Sequence, residues 1–336
     1  MALSVERRER LLREAQELYG AREYTALVNA LSPLERGDLL EVPDLGFLLA
    51  DAWHRLGNRE GALHLLEALG PVCARRGNDR LFRDRLNLEG ALLFGLGRID
   101  EAEDAWGRLR SAAASAGDAN FAARSSNNLG VIYTMRGERE EALASYARAI
   151  AAYQQLGYLR GLAQAHQNQA ITYRELDFWR DADHHFLRAI DYAAQDGSQD
   201  EVARARQERA LLLCYTGDRH LARQTARQAL RSWERLSDPA GLGDTHRVLG
   251  LIALATGGLD EAEEEAEQAL VFAQRAHAPL LEAETRELLA AVASGRGDEA
   301  RGASLRSGAE ELFASLGAGS WGAQLRLRVG WLAGGR

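Results

Sequence analysis

The side chains best suited to chemistry are few and poorly arranged for it. His184 and His185 stand beside Asp181 and Asp183, the densest group of metal-binding side chains in the sequence. Adjacent residues on a helix point about 100° apart, so the two imidazoles cannot share a face, and the group reads as solvated helix surface. His166 and His246 occupy the same place in two copies of a repeat, where a histidine is a packing or groove residue before it is a catalyst. No nucleophile stands in sequence to partner either. The acidic run LDEAEEEAEQAL, Leu259 to Leu270, has the charge for a divalent cation, but carboxylates at the start of a helix offset its dipole and explain the run without a metal. Cys73 and Cys214 lie too far apart for CxxC or zinc-ligand spacing, which leaves both as small buried apolar side chains of a reducing compartment. No Walker-type glycine loop, GxSxG elbow, HExxH or EF-hand loop occurs. The chain is expected to be non-catalytic and to need no metal, nucleotide or other cofactor.

Composition narrows the alternatives. Hydrophobic residues at 46% and charged residues at 27% give a chain able to bury a core, so disorder is not its main character. A formal charge of −8 argues against nucleic acid as a partner, since phosphate binding needs a dense basic footprint. All 41 basic residues are arginine, so every cation is a planar fork of donors. The opening MALSVERRERLLREAQ lacks the apolar centre of a signal peptide and no later run is long enough to span a membrane, which makes the cytoplasm the expected location.

What must position any site is a repeat of 40 residues. Small residues recur at Ala50, Gly90, Gly130, Ala170, Ala210, Gly250, Ala290 and Gly330. Seven positions on run Gly57, Gly97, Gly137, Asp177, Gly217, Gly257 and Gly297. A third series is Ala62, Ala102, Ala142, Ala182, Ala222 and Ala262, with Gly302 as its degenerate end. Each series has a physical role in a pair of antiparallel helices. The first residue lets the second helix approach, the next ends the first helix in a left-handed conformation, and the alanine begins the contact face of the second. In the clearest unit, 119–158, helix A is expected over Phe121 to Met135 and helix B over Arg139 to Leu156. Leu129, Gly130 and Tyr133 mark one stripe, and Ala142, Tyr146, Ala149 and Tyr153 the other.

The order L-G-x-x-Y, a turn glycine, then A-x-x-x-Y-x-x-A, seen in NNLGVIYTMRGEREEALASYARAI, resembles the tetratricopeptide repeat. The resemblance covers about residues 41 to 318 and is strongest from 82 to 278. It departs from the family in its period of 40 rather than 34 and in lacking the proline that usually follows helix B. Longer helices of this kind are similar to those of kinesin light chains, bacterial peptide-sensing regulators and the sensor segments of large bacterial signalling proteins. The resemblance implies an all-α fold, an α-α superhelix of about 15 or 16 helices. Residues 1–40 are expected as an N-terminal helical cap, with the segment SPLERGDLLEVPD as a loop, then seven repeats over 41–318 and a lone capping helix over 319–336. A piece of a larger protein is the competing account of the atypical ends.

The same resemblance places the binding surface on the concave side, lined by helix A. Relative to Gly130 that stripe reads Arg124, Asn128, Val131 and Met135, then Gln164, Asn168, Ile171 and Glu175, then Arg204, Glu208, Leu211 and Tyr215. The following repeat turns to Asp244, Val248, Leu251 and Ala255, so the surface is expected over about 119–218. Asn128 and Asn168 are its expected polar centre, because a carboxamide both donates to and accepts from an extended backbone, and Asn127 sits beside the first. Arg124, Arg174 and Arg204 add forks for ligand carboxylates. The implied function is a scaffold or adaptor that binds a protein or peptide, with no nucleic acid or membrane partner. The alternatives are a peptide-sensing regulator acting through a partner, or a subunit of a bacterial signalling or defence complex.

Overall fold

The computed structural model describes residues 4–77, 79–316 and 318–334, and among them all regular structure is helical. Eighteen helices follow one another among the described residues, most of them packed on a sequence neighbour. The chain divides into two compact units, residues 1–152 and 153–336.

Unit 1 opens with α1 (Val5–Gly20) and α2 (Tyr24–Leu31), a pair that turns just after Gly20. The segment expected as a loop contains a further helix, α3 (Arg36–Glu41). Its start is fixed by a reciprocal capping box in which the Glu35 amide donates to Asp38 at 3.2 Å while the Glu35 side chain accepts from the backbone of the same turn. This helix, added to the cap pair, raises the number from the expected 15 or 16 to 18. Helices α4 (Pro43–Arg55) and α5 (Arg59–Arg75), α6 (Arg80–Gly95) and α7 (Ile99–Ser115), and α8 (Ala119–Arg136) and α9 (Arg139–Leu156) make three antiparallel pairs, and the end of α9 enters unit 2.

Unit 2 continues with α10 (Leu159–Glu175) and α11 (Trp179–Asp196), α12 (Gln199–Thr216) and α13 (Arg219–Leu236), α14 (Pro239–Ala255) and α15 (Leu259–Arg275), and α16 (Pro279–Gly295) and α17 (Glu299–Ser315). The unpaired α18 (Gly319–Ala333) follows. The even-numbered helix is the A member of each pair. Helix α10 packs on α12, α12 on α14, α14 on α16, and α18 on both α16 and α14.

The alanine series Ala102, Ala142, Ala182, Ala222 and Ala262 is fully buried, as a close helix crossing requires. At Gly130 the crossing leaves no room for a side chain: a Cβ would lie 2.6 Å from the Tyr146 ring. The turn series has positive φ throughout, including Asp177 at 60°, where a short polar side chain tolerates the left-handed region. A second left-handed series lies half a period away, at Gly77, Gly117, Gly157 and Gly197, then Ser237 at 53° and His277 at 48°. These residues end helix B; after Ser237 and His277 a proline, Pro239 or Pro279, also opens the next helix, whereas the other repeats turn without one. Asp79, Asp118 and Asp238 then cap the next A helix by accepting its free N–H groups, and Asp218 and Asp298 do the same for B helices after the first turn series.

Candidate functional site

The A helices of unit 2 line a cavity of about 550 Å³. Helix α10 supplies Ile171 and Arg174, and α12 supplies Arg204, Gln207, Glu208, Leu211 and Tyr215. Asp238, Asp244 and Arg247 come from α14 and its cap, Leu280, Leu281 and Glu284 from α16, and Trp321, Gln324 and Arg328 from α18. The volume is that of a site for a small molecule or a few peptide residues.

A polar ladder fixes the floor. Each rung joins one A helix to the next at a separation of about 37 residues, so the 40-residue period itself creates it. Gln164 Nε2 donates to Glu201 at 2.7 Å. Gln207 donates to Asp244 and accepts from Thr245 Oγ1 at 2.7 Å and Trp233 Nε1 at 3.2 Å, which leaves that buried amide well satisfied. Arg247, 8% exposed, is held by Asp244 at 2.6 Å and Glu284 at 3.3 Å, and Trp321 Nε1 donates to Glu284 at 2.6 Å. Burial alone would lower the Arg247 pKa, but the two carboxylates overcome it and hold the guanidinium well above its ordinary value. Burial pushes Glu284 up, with Arg247 opposing.

A second set of pairs crosses a wider span. Arg174, buried, binds Glu208 at 2.7 Å and lies 3.5 Å from Glu175. Arg328 on α18 reaches the same Glu175, 153 residues earlier, through Nη1 at 2.8 Å and a second contact through Nη2. Burial would raise the Glu175 carboxyl, yet the Arg328 hydrogen bonds and the two guanidinium charges hold it below the usual range. Arg328 also lies over the Tyr215 ring at 5.9 Å, and Trp331 packs 6.4 Å from the same ring.

The structure thus brings Arg174, Arg204, Glu208 and Tyr215 into one cavity. Gln164 and Asn168 are half-buried on α10, and Gln164 is engaged with Glu201. In unit 1, Asn127 is buried, Asn128 and Arg124 are half-buried on α8, and Arg124 lies over Phe121 at 5.8 Å. A hollow of about 590 Å³ in that unit lies against the B helix α7, and none of the three lines it. The expected loss of polar character after residue 218 does not occur. Val248, Leu251 and Ala255 are buried as that stripe requires, but Arg247, Glu284, Trp321 and Arg328 carry the lining onward from the adjacent stripe. The signal was present as the series Asn127, Gln167, Gln207, Arg247 and Glu287, polar at every repeat on a helix otherwise rich in buried apolar residues.

His166, His185 and His246 are packing groups, whereas His184 is exposed. His166 and His185 share a hydrogen bond between their Nδ1 atoms at 2.9 Å, between α10 and α11. Burial first, then neighbouring positive charge, lowers their pKa values to about 3 and about 4. At the same two positions of a later repeat, His246 meets Glu265 at 2.7 Å. Among the described residues no group of three or more His, Cys, Asp or Glu side chains could hold a metal ion, and no helix is long and apolar enough to cross a membrane. Cys73 and Cys214 are buried and free.

Residues 85–155 match the family model described as Tetratricopeptide repeat. No curated protein matches the sequence. Solved structures do resemble the fold. A Rap protein complexed with Competence and Sporulation Factor matches with a TM-score of 0.64 at 15% identity, over 98% of this chain and 100% of that one. The Rap conjugation gene regulator of the plasmid pLS20, in complex with the Phr* peptide, gives 0.68 at 12% identity, over 82% and 74%. A signal transduction ATPase with numerous domains from Pyrococcus horikoshii, which has a tetratricopeptide repeat sensor, gives 0.62 at 16% identity, over 96% of this chain and 48% of that one. At these identities the likeness is one of fold.

Proposed function

We propose that this tetratricopeptide-repeat protein is a non-catalytic receptor for a short peptide or an extended segment of another protein, bound along the A helices of unit 2. The observation that carries the reading is the cavity lined by five successive A helices, with apolar walls above a polar floor whose members hold one another in place. A rigid floor with apolar flanks suits an extended ligand, because the site is organised before the ligand arrives. Gln164, Asn168, Arg174, Arg204, Glu208 and Tyr215 form the proposed contact face. Arg124, Asn127 and Asn128 hold the corresponding positions on α8 and are read as a contact face of unit 1. Two free, buried cysteines agree with a reducing compartment such as the cytoplasm.

The test is affinity capture on the full chain, followed by calorimetric titration of the captured partner. Asn168→Ala should weaken binding by about 1 to 3 kcal/mol, the range for losing a hydrogen-bonding side chain at a contact. Unchanged affinity in Asn168→Ala and in Tyr215→Ala would place the partner elsewhere.

A second reading is a peptide-sensing regulator that acts through a partner protein. Its support is the likeness to two Rap structures, one with Competence and Sporulation Factor and the other with the Phr* peptide. Such a protein would bind a second protein with an affinity that the peptide changes, and the reciprocal change in peptide affinity must be equal. A partner indifferent to the peptide would exclude it.

A further inference from the structure

We propose that α18 is a dimerisation helix. Its open face packs antiparallel on the same face of a second copy of this chain, with Leu327 on the two-fold axis. The pairing stands or falls separately from the receptor function.

In unit 2 each A helix from α10 to α16 is covered by its own helix B and by the next A helix. At Gly250 the cover is so close that a Cβ would meet Leu288 at 2.8 Å and the Ala262 carbonyl at 3.3 Å, and at Gly243 it would lie 3.0 Å from Phe272. Helix α18 carries the same series as Ala323, Leu327 and Gly330, and among the described residues no helix B lies on it. The 40-residue period measures the contrast. Gln167, Gln207, Arg247 and Glu287 are 7, 4, 8 and 2% exposed, whereas Leu327, next in that series, is 75% exposed. Ala170, Ala210 and Ala290 are fully buried, whereas Gly330 is exposed and a Cβ there would meet nothing within 4 Å. The position is thus an amide or a charge where it is covered, and a leucine where it is open. A terminal repeat that faces water calls for the opposite.

Charge and size select a second copy as the occupant. At about 100° per residue, Ala323, Gln324, Leu327, Gly330, Trp331 and Gly334 all fall within about 60° of Leu327, and all are exposed. No side chain in that sector ionises, so it meets its own copy without like-charge repulsion. The arginines at its two edges are engaged within the chain, Arg326 by Glu287 at 2.6 Å and Glu310 at 2.8 Å, and Arg328 by Glu175 at 2.8 Å. About a two-fold axis through Leu327, the half-exposed Trp331 stands opposite Ala323 of the second copy, and Gly330 opposite its Gln324. A large side chain therefore meets a small one on both sides of the axis, as a self-complementary interface requires. Head-to-tail stacking on α1 fits badly, because Glu6, Arg7, Glu9, Arg10 and Glu14 are exposed there and would lose water against an uncharged stripe. The face also opens into a hollow of about 440 Å³ where Trp179 and Tyr215 join Leu327 and Trp331, so the apolar surface extends beyond one helix.

Sedimentation velocity of the full chain tests the pairing. An interface centred on one helix lies at the small end of the range, so the expected Kd is on the order of 10 to 100 µM, within reach of a series up to about 300 µM. The variants Leu327→Arg and Leu327→Glu change a side chain that is three-quarters exposed, so both should keep the wild-type melt. Each should weaken self-association by about a hundredfold or more, because like charges face each other across the axis. Mixing the two variants in equal amounts should restore the dimer. A wild type that stays monomeric throughout overturns the proposal, and a dimer that survives both substitutions lies on another surface and overturns it too. Loss of the dimer in each variant with no recovery on mixing overturns the two-fold pairing at Leu327.

Discussion

Replacing Arg247 by leucine tests whether the polar ladder is structural. The side chain is 8% exposed and bridges Asp244 at 2.6 Å and Glu284 at 3.3 Å, so it joins α14 to α16. Its removal leaves two carboxylates facing each other without a cation, and Glu284, itself 8% exposed, would keep only the Trp321 N–H. Stranding a buried charge costs about 3–5 kcal/mol, more than the packing gained by a leucine can offset. The bridge lies within unit 2, so the loss should be confined to that unit. Amides of α14 and α16 should exchange faster by a factor that reflects this energy, while those of α4 to α7 keep their protection. Because Glu284 would then tend to take up a proton, the destabilisation should shrink at lower pH. The double variant Arg247→Leu with Glu284→Leu should recover more than half of it, since Asp244 retains its bond from Gln207. Native-state hydrogen exchange at pH 7 and pH 5 reads all of these. A cost below about 1 kcal/mol in the single variant, the value of a surface pair, would show that the ladder is solvated and would refute the reasoning.

Gly130→Ala should destabilise unit 1 by about 1–3 kcal/mol, because its Cβ would meet the buried Tyr146 ring at 2.6 Å; urea titration with Tyr fluorescence would show it, and a neutral outcome would mean that α9 can shift. His277→Gly should stabilise by up to about 1 kcal/mol, since the backbone there has φ of 48°, and a lower urea midpoint would contradict the assignment of left-handed strain. For the buried His166, the folded pKa of about 3 lies below the unfolded value of 6.5, so the unfolded chain takes up the proton first and stability falls as pH drops from 6.5 towards 3. Between pH 6.5 and 5 this amounts to at most about 2 kcal/mol, and the double variant His166→Ser with His185→Ser, which copies Ser126 and Ser145 of the preceding repeat, should lose less stability over that range than the wild type.

How far the sequence reached depends on whether a feature repeats. The three 40-residue series were legible because each is imposed by backbone geometry, and geometry leaves the same residue type at the same place: Ala142 and Ala182 at a crossing, Gly137 and Gly217 at a turn. The helix boundaries of the clearest unit followed, Ala119–Arg136 against the expected 121–135 and Arg139–Leu156 as expected. Helix α3 escaped because it lies outside the period and owes its existence to one local exchange between Glu35 and Asp38. The second turn series escaped in part because Ser237 and His277 interrupt its glycines.

The cavity was legible only as a face. Helical spacing placed Arg204, Glu208 and Tyr215 on one stripe, but it could not tell which charges were already spent, because their partners come from the neighbouring helix about 37 residues away. Arg174 and Arg204 looked alike in sequence, and only the packing of α10 on α12 separates the cation locked to Glu208 from the one left open. The contact of Arg328 with Glu175 lay further out of reach, since it joins helices four repeats apart and follows from how successive pairs rotate within unit 2. In a repeat protein the repeating positions build the scaffold, so a binding function must rest where the repeats differ. Position 204 makes the point. Within unit 2 its counterparts Gln164, Asp244 and Glu284 are each bonded within the ladder, whereas among the described residues Arg204 and Gln324 are not.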